Sequence, residues 1–395
     1  MTHPRNIAKL DKRSNFNALM DRAFAFRDRV LSSPRFIRFA ETFPLTRPIA
    51  RREAGALFDL CSGFIYSQVL LSCVRLGLFE HLRGGPLARD EIARRLGLGE
   101  DATARLLTAA VALRLAEERS GGRYGLGRLG AAVLASPGLT AMVEHHGLVY
   151  RDLEDPVALL RGETKARDAG DAANPAADKG THLASYWPYA EGDTSADRDA
   201  VSAYTALMAA TQPAIAEEVL DAYDFTRHRC LMDVGGGDGT FLRAAARRVP
   251  ALDLVLFDMP AVAGLADAKF RAANLAHRAK AAGGDFTKEL PKGADVVTLV
   301  RVLLDHDDDT ALKILTSVRA ALPHGGALVV AEPMAGTRGA EKVAAYFSLY
   351  LMAMGRGRPR TEAQLRDLLQ RAGFTAIKRC ATHQPLLVRV LAATF

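Results

Sequence analysis

The stretch Leu231-Met-Asp-Val-Gly-Gly-Gly-Asp-Gly-Thr-Phe241 constrains this chain more than any other. Leu231, Met232 and Val234 read as a buried strand, and Phe241 to Arg248 as the helix that follows. Gly235, Gly236, Gly237 and Gly239 make the turn between them. Glycine permits positive φ and lets a ligand approach the backbone where a Cβ would stand in the way. The start of the helix offers N–H groups without intrahelical partners. The spacing is not the dinucleotide fingerprint Gly-x-Gly-x-x-Gly, because Thr240 falls at the third glycine position. The next strand, Leu252 to Asp258, ends in a carboxylate 19 residues after Gly239. An acid there can accept both ribose hydroxyls of a nucleoside-like cofactor.

Strands read at 229–234, 252–258, 277–281, 294–302 and 326–332, alternating with helical stretches. That pattern predicts an α/β, Rossmann-like, doubly wound parallel sheet. Phe374 to Ala381 and Leu386 to Ala393 are joined by Thr382-His-Gln-Pro385 with no helix between, so the last of seven strands runs antiparallel. Before the sheet, residues 1–52 read as a basic helical arm broken by Pro34, Pro44 and Pro48. Glu53 to His81 reads as one long helix, apolar on nearly every side, and such a helix is expected to be buried, often between subunits. Leu87–Leu98 and Glu100–Glu117 read as helices and Arg123–Leu126 as a β-wing, a winged-helix pattern. A DNA-binding regulator is one reading of it. The second helix, however, offers only Thr103, Arg105, Thr108 and Arg114, and no nucleic-acid partner is expected. Residues 162–182 lack periodicity and read as a mobile loop, with Tyr186, Trp187 and Tyr189 just beyond. Tyr204–Thr211 and Ala214–Val219 read as two helices. The division expected is an arm at 1–52, a mostly helical winged-helix domain at 53–190 and the α/β domain at 191–395.

The net charge of +7 is uneven: residues 1–52 carry 12 Lys or Arg against 4 Asp or Glu, and the remainder is nearly neutral. Phe16, Leu19, Met20, Ala23, Phe26 and Val30 recur at helical spacing among Arg22, Arg27 and Arg29. This basic amphipathic helix would pack on a dimer partner or lie on an anionic membrane surface. The run Leu60 to Val74 contains Ser62, Ser67, Gln68 and Ser72 and reads as too short and polar to span a bilayer. The N-terminus lacks the pattern of a signal peptide, so a cytoplasmic protein is expected. Cys61, Cys73, Cys230 and Cys380 lack metal or redox spacing and read as buried free thiols, and no metal is expected.

The glycine turn and its spaced acid resemble the S-adenosylmethionine site of class I methyltransferases, whose sheet also ends in an antiparallel strand. The whole chain resembles the O-methyltransferases that act on plant phenols and bacterial polyketides. Within them it is most similar to the carotenoid O-methyltransferases of purple bacteria. The stretches that carry this are Glu53–Asp59, Ser62–Phe64, Met142–His146, Tyr150–Leu153, Asp155–Ala158, Asp233–Gly237, Leu299–Leu303 with Asp305 and His306, and Tyr346–Met354. The resemblance implies a homodimer joined through the winged-helix domain. It also implies methyl transfer from S-adenosylmethionine to the tertiary C1 hydroxyl of an acyclic hydroxycarotenoid. A phenolic, quinone or tetrapyrrole acceptor is the alternative. A winged-helix regulator with a vestigial cofactor domain is the non-enzymatic one.

The resemblance further implies cofactor contacts. Asp233, Gly235, Gly237 and Gly239 belong to the methionine-side turn, and Asp258 takes the ribose. Met259, Asp285 and Phe286 surround the adenine, and Arg301 lies near the cofactor at the end of the fourth strand. The family carries His-Asp-Trp after that strand, and its histidine takes the hydroxyl proton. Leu304-Asp305-His306 stands here, so the base position is leucine. His306, His145, His146 and Asp305 are the candidates to replace it, and Glu332 matches the acid that orients the family's base. Tyr346, Phe347, Tyr350 and Met354, with Tyr150, would line an apolar acceptor pocket, since methionine and aromatic side chains suit an adaptable lipid-like ligand.

Overall fold

The computed structural model describes residues 4–163, 181–186 and 198–395, with side chains for 16–163, 181–184 and 204–395. Most of the loop expected at 162–182, Trp187, Tyr189 and the boundary at 190/191 lie outside the described residues.

The chain begins with α1 (Pro4–Leu31), α2 (Pro34–Thr42) and α3 (Arg47–Arg75). The helical pieces are separated at the prolines as expected, and Pro34 and Pro48 sit in the first turns of α2 and α3, where a missing N–H removes no intrahelical bond. α3 runs straight through the boundary expected at residue 52. It also ends earlier than His81, because Gly77 at φ 66° turns the chain into α4 (Leu78–Leu82).

In the single chain α3 is largely uncovered. Leu60 is 80% and Phe64 63% exposed, and only Leu71 and Cys73 are buried. Apolar periodicity shows that a face wants cover, not that its own chain provides it. Cys61 is likewise exposed, contrary to expectation. By length and composition α3 could cross a membrane. Its C-terminal turns nonetheless pack through Cys73 into a core with Leu78, Phe79, Ile92 and Leu107.

That core belongs to the winged helix: β1 (Leu87–Ala88), α5 (Arg89–Leu96), α6 (Glu100–Ala112), β2 (Ala116–Arg119) and β3 (Arg123–Leu126), with sheet order β1-β3-β2. The second helix stops short of Glu117 because Arg114 takes a left-handed conformation at φ 59°, and Glu117 falls in β2. Four helices lead onward: α7 (Arg128–Leu134), α8 (Pro137–Asp152), α9 (Pro156–Arg161) and α10 (His182–Tyr186). α11 (Arg198–Ala222) is a single helix with Pro213 inside it, not the two helices expected.

The α/β domain then runs β4 (Cys230–Val234), α12 (Thr240–Arg248), β5 (Asp253–Asp258), α13 (Pro260–Ala272), β6 (Ala279–Gly283), β7 (Val296–Val300), α14 (Asp308–Ala321) and β8 (Ala327–Glu332). It ends with α15 (Glu341–Ala353), α16 (Glu362–Arg371), β9 (Ala376–Cys380) and β10 (Arg389–Thr394). The strands lie in the order β6-β5-β4-β7-β8-β10-β9. β4 to β8 are mutually parallel, and β10 inserts antiparallel between β8 and β9.

Alternate residues of each strand face opposite layers. Leu231 packs towards α11, α12 and α13 with Phe241 and Phe270, while Met232 packs towards α14 and α16 with Ile314 and Leu365. Each fully buried side chain of this size contributes about 1.5–3 kcal/mol. The strand order reverses between β4 and β7, which opens a crevice at their carboxyl ends, the place where such sheets bind ligands.

Candidate active site

A cavity of about 660 Å³ fills that crevice, a volume typical of a ligand site. The glycine turn forms one wall. Gly235 sits at φ 70°, and a Cβ there would stand 2.8 Å from Val302 Cγ2. Among the described residues, its chain neighbours aside, no atom lies within 4 Å of where a Cβ on Gly237 would be, so the backbone is open to a ligand. The Gly237 N–H donates to Asp258 Oδ2 (2.8 Å), and the Met259 N–H donates to the other carboxylate oxygen (2.7 Å). Burial pushes the Asp258 carboxyl up to about 6, and these two donors pull it back down.

Asp233 accepts the Thr298 hydroxyl at 2.6 Å, while its Oδ2 is buried with no hydrogen-bond partner among the described residues. Burial pushes Asp233 up to about 7, opposed by the Thr298 hydrogen bond and reinforced by the charge of Asp258. An open glycine cradle, a carboxylate at the end of β5 and an orphaned acid oxygen fit the methionine and ribose parts of S-adenosylmethionine. Asp285 accepts from the Thr287 N–H (2.9 Å), and the Phe286 ring stands edge-on to His306 with centroids 5.7 Å apart. Together they make the far, aromatic end of the cavity.

The opposite wall is the segment after β7. Arg301 sits at φ 58°, and its guanidinium donates to Thr211 Oγ1 (2.8 Å), Gln212 Oε1 (2.5 Å) and the Met208 carbonyl (3.2 Å). It therefore ties α11 to the cavity instead of forming an ion pair at the surface.

The 3-10 turn Leu303–Asp305 is held from three sides. Glu332 Oε1 accepts the Leu304 N–H at 3.0 Å. Arg360 donates to the Leu303 carbonyl (2.6 Å) and the His306 carbonyl (2.7 Å). The Arg358 N–H donates to the Leu304 carbonyl at 2.9 Å. Gly357 makes this last approach feasible: a Cβ there would lie 2.2 Å from the Leu304 carbonyl oxygen. The Leu304 side chain is buried with Val149, Leu159, Leu183, Tyr204, Tyr350 and Met354. The position that the resemblance assigns to the family's base is thus filled by a buried apolar side chain.

Asp233, Gly235, Gly237, Asp258, Met259, Asp285, Phe286, Arg301 and His306 all line the cavity. Gly239 does not; it lies behind the turn, where a Cβ would meet the Phe270 ring at 2.6 Å. His306 is not the solvent-facing loop residue that its acidic neighbours suggest. Burial pushes its imidazole down to about 4 despite Asp307 beside it, so the ring is neutral near pH 7.

Glu332 and His145 do not line the cavity. The His145 ring, pushed down to about 4 by burial and by the charge of His146, hydrogen-bonds the Tyr350 hydroxyl at 2.9 Å. His146 meets the Tyr346 hydroxyl at 2.8 Å, so both rings reach α15. The Tyr150 hydroxyl donates to Ser67 on α3. Tyr346 stacks on Tyr350 at 5.6 Å with Phe347 edge-on, and Met354 is buried nearby. None of these five expected acceptor residues lines the large cavity among the described residues. Sequence reading missed Tyr204, Met208 and Gln212 of α11, and Lys313 and Arg356 at the rim, because no motif marks them.

The Glu332 carboxyl is 1% exposed, and burial pushes it up to about 7. Its folded value lies above its unfolded one, so folding loses free energy as pH rises from about 4.5 through 7. Gln in its place keeps an acceptor for the Leu304 N–H without that penalty. Urea melts should show Glu332→Gln gaining stability over the wild type between pH 5 and pH 8. An equal difference at both pH values would contradict this.

The fold, the turn and the spaced carboxylate define a class I S-adenosylmethionine-dependent methyltransferase. Residues 172–375 match the O-methyltransferase domain, and residues 58–136 match the O-methyltransferase dimerisation domain. The chain is 41% identical to demethylspheroidene O-methyltransferase of Cereibacter sphaeroides over 92% of its length and 93% of the relative's. It is 39% identical to the Rhodobacter capsulatus enzyme of the same name, over 93% of this chain and 89% of that one. Among solved structures, human N-acetylserotonin methyltransferase in complex with SAM superposes with a TM-score of 0.70 at 25% identity, over 87% of this chain and 97% of that one. The chain belongs to the O-methyltransferase family and is an S-adenosylmethionine-dependent O-methyltransferase acting on a small molecule.

The dimerisation domain points to a homodimer, and the bare apolar face of α3 falls at its start. Leu60→Asp is expected to turn a dimer into a monomer in size-exclusion chromatography. A dimer that survives the substitution would put the interface elsewhere.

Proposed function

We propose that this enzyme methylates the tertiary C1 hydroxyl of an acyclic hydroxycarotenoid, giving a methoxy carotenoid. The observation that carries the reading is the 41% identity, over nine-tenths of both chains, to a demethylspheroidene O-methyltransferase. Leu304 supports it. A phenol, with a pKa near that of tyrosine at about 10, gives up its proton readily to a histidine at that position. Here the position is closed by leucine inside an apolar cluster.

When bound, S-adenosylmethionine supplies a methyl group already activated on a sulfonium. The residues of this chain then mainly position the partners, which is worth several kcal/mol when the geometry is good. Asp258 and the glycine turn would hold the nucleoside and methionine parts. His306 and Phe286 would close the aromatic end, and Met208, Val300 and Val302 of the cavity wall would offer the polyene an apolar surface.

The acceptor dissolves in membranes, so we place the enzyme in the cytoplasm with its arm against the inner membrane surface. Phe16, Leu19, Phe26 and Phe39 are exposed there, among an excess of basic residues. Co-sedimentation with anionic vesicles that disappears at high salt supports this placement, and no sedimentation removes it. For the acceptor, kcat/KM should be at least about 100-fold higher for 1-hydroxyneurosporene in micelles than for a hydroxynaphthoate. The reverse preference would assign a phenolic acceptor.

A further inference from the structure

The missing histidine leaves the acceptor proton without an obvious destination. Glu332 spends its Oε1 on the Leu304 N–H and lies off the cavity. His145 is hydrogen-bonded to Tyr350, also off the cavity. His306 faces the cavity but stands edge-on to Phe286, at the aromatic end.

Asp305 is placed differently. It lines the cavity on the wall that carries Arg301 and Val302, and Val302 is the residue against which Gly235 closes. Its backbone is fixed on both sides: Leu304 is held by Glu332 and Arg358, and the His306 carbonyl by Arg360. Such support fixes the backbone from which the carboxylate reaches the cavity. Among the described residues no hydrogen bond engages its carboxylate, and Arg301 is the cation beside it.

We propose that the Asp305 carboxylate takes the proton of the acceptor hydroxyl during methyl transfer, in place of the family's histidine. The inference rests on the O-methyl transfer already assigned and holds for either acceptor class. In the step, the acceptor oxygen forms a bond to the methyl carbon. The carbon–sulfur bond breaks and its electron pair stays on sulfur. The hydroxyl proton moves to Asp305, and the resulting carboxylic acid returns it to water as products leave.

Among the described residues the charged and titratable groups around Asp305 include Arg301 and His306 on its own segment, Glu332 from β8, Arg360 bonded to the same turn, Arg356 on the cavity wall and, beside Arg301, Tyr204 from α11 and Tyr350 from α15. Burial pushes the Asp305 carboxyl up to about 7 and Arg301 pulls it down. The base works only when ionised, so kcat/KM should rise with pH and level off above about 7.

The test is Asp305→Asn, which keeps size and polarity but cannot accept the proton. S-adenosylhomocysteine affinity, read by calorimetry, should stay within about threefold of wild type and certify the fold. kcat should fall by about 10²–10⁴-fold, the usual range for a general base. The acidic limb of the pH profile should vanish, and Asp305→Glu should restore part of it. A rate within tenfold of wild type, or an unchanged acidic limb, overturns the proposal. Lost cofactor affinity with an unchanged rate at saturation also overturns it, and would assign Asp305 to the methionine ammonium. The comparison is made on whichever acceptor the wild type labels. Labelling of a hydroxynaphthoate alone would remove the carotenoid reading and still decide the role of Asp305.

Discussion

Asp258→Ala is expected to weaken S-adenosylhomocysteine binding by roughly 100-fold or more. Hydrogen bonds to a charged group contribute about 1.5–3 kcal/mol each. Two ribose hydroxyls on one carboxylate therefore amount to about 3 kcal/mol at least, and each 1.4 kcal/mol is about tenfold in affinity. The same carboxylate also holds the Gly237 and Met259 N–H groups, so alanine loosens the cradle as well. Asparagine keeps one acceptor oxygen and should fall between the two. Calorimetry decides it: an alanine variant within fivefold of wild type would mean that the ribose is held elsewhere.

The second large effect belongs to Arg360, a residue with no catalytic chemistry of its own. It is 1% exposed and ties Asp308 (2.8 Å) and the Leu303 and His306 carbonyls into one strut. Arg360→Met would keep much of the volume but leave the buried Leu303 carbonyl and the part-buried His306 carbonyl without this donor and break the Arg360–Asp308 pair, while Asp308 keeps Arg358. Breaking a buried pair in this way costs about 3–5 kcal/mol. The lower figure fits here, because Asp308 is partly exposed and keeps its pair with Arg358. Urea melts should show a loss of about 3 kcal/mol, with a parallel drop in kcat as the turn carrying Asp305 and His306 relaxes. Wild-type stability and rate in this variant would show that the turn holds itself.

The parts legible in the sequence are those determined by near neighbours. The glycine turn, the acid at the end of β5 and the strand runs depend on local backbone geometry and on apolar side chains over a few residues. Each strand of the large sheet accordingly falls within about three residues of its expected span. Pro213 misled in the other direction: it reads as a helix boundary, yet packing carries α11 through it. α3 misled about burial, because apolar spacing does not say which molecule supplies the cover. The contacts that shape the turn Leu303–Asp305 were not legible at all. Arg360 reaches Leu303 across 57 positions and Glu332 reaches Leu304 across 28. The departure at Leu304 could be read from the chain; that its side chain plugs an apolar cluster, leaving Asp305 on the cavity, required the fold.

The most direct measurement is transfer of labelled methyl from S-adenosylmethionine to 1-hydroxyneurosporene in detergent micelles, with the product carotenoid isolated and analysed by mass spectrometry. The expected result is one labelled methyl ether at C1 and one equivalent of S-adenosylhomocysteine, both abolished in Asp258→Ala at limiting cofactor. Label confined to phenolic acceptors, or cofactor that binds but yields no labelled ether with any acceptor, would contradict the reading of this chain as a hydroxycarotenoid O-methyltransferase.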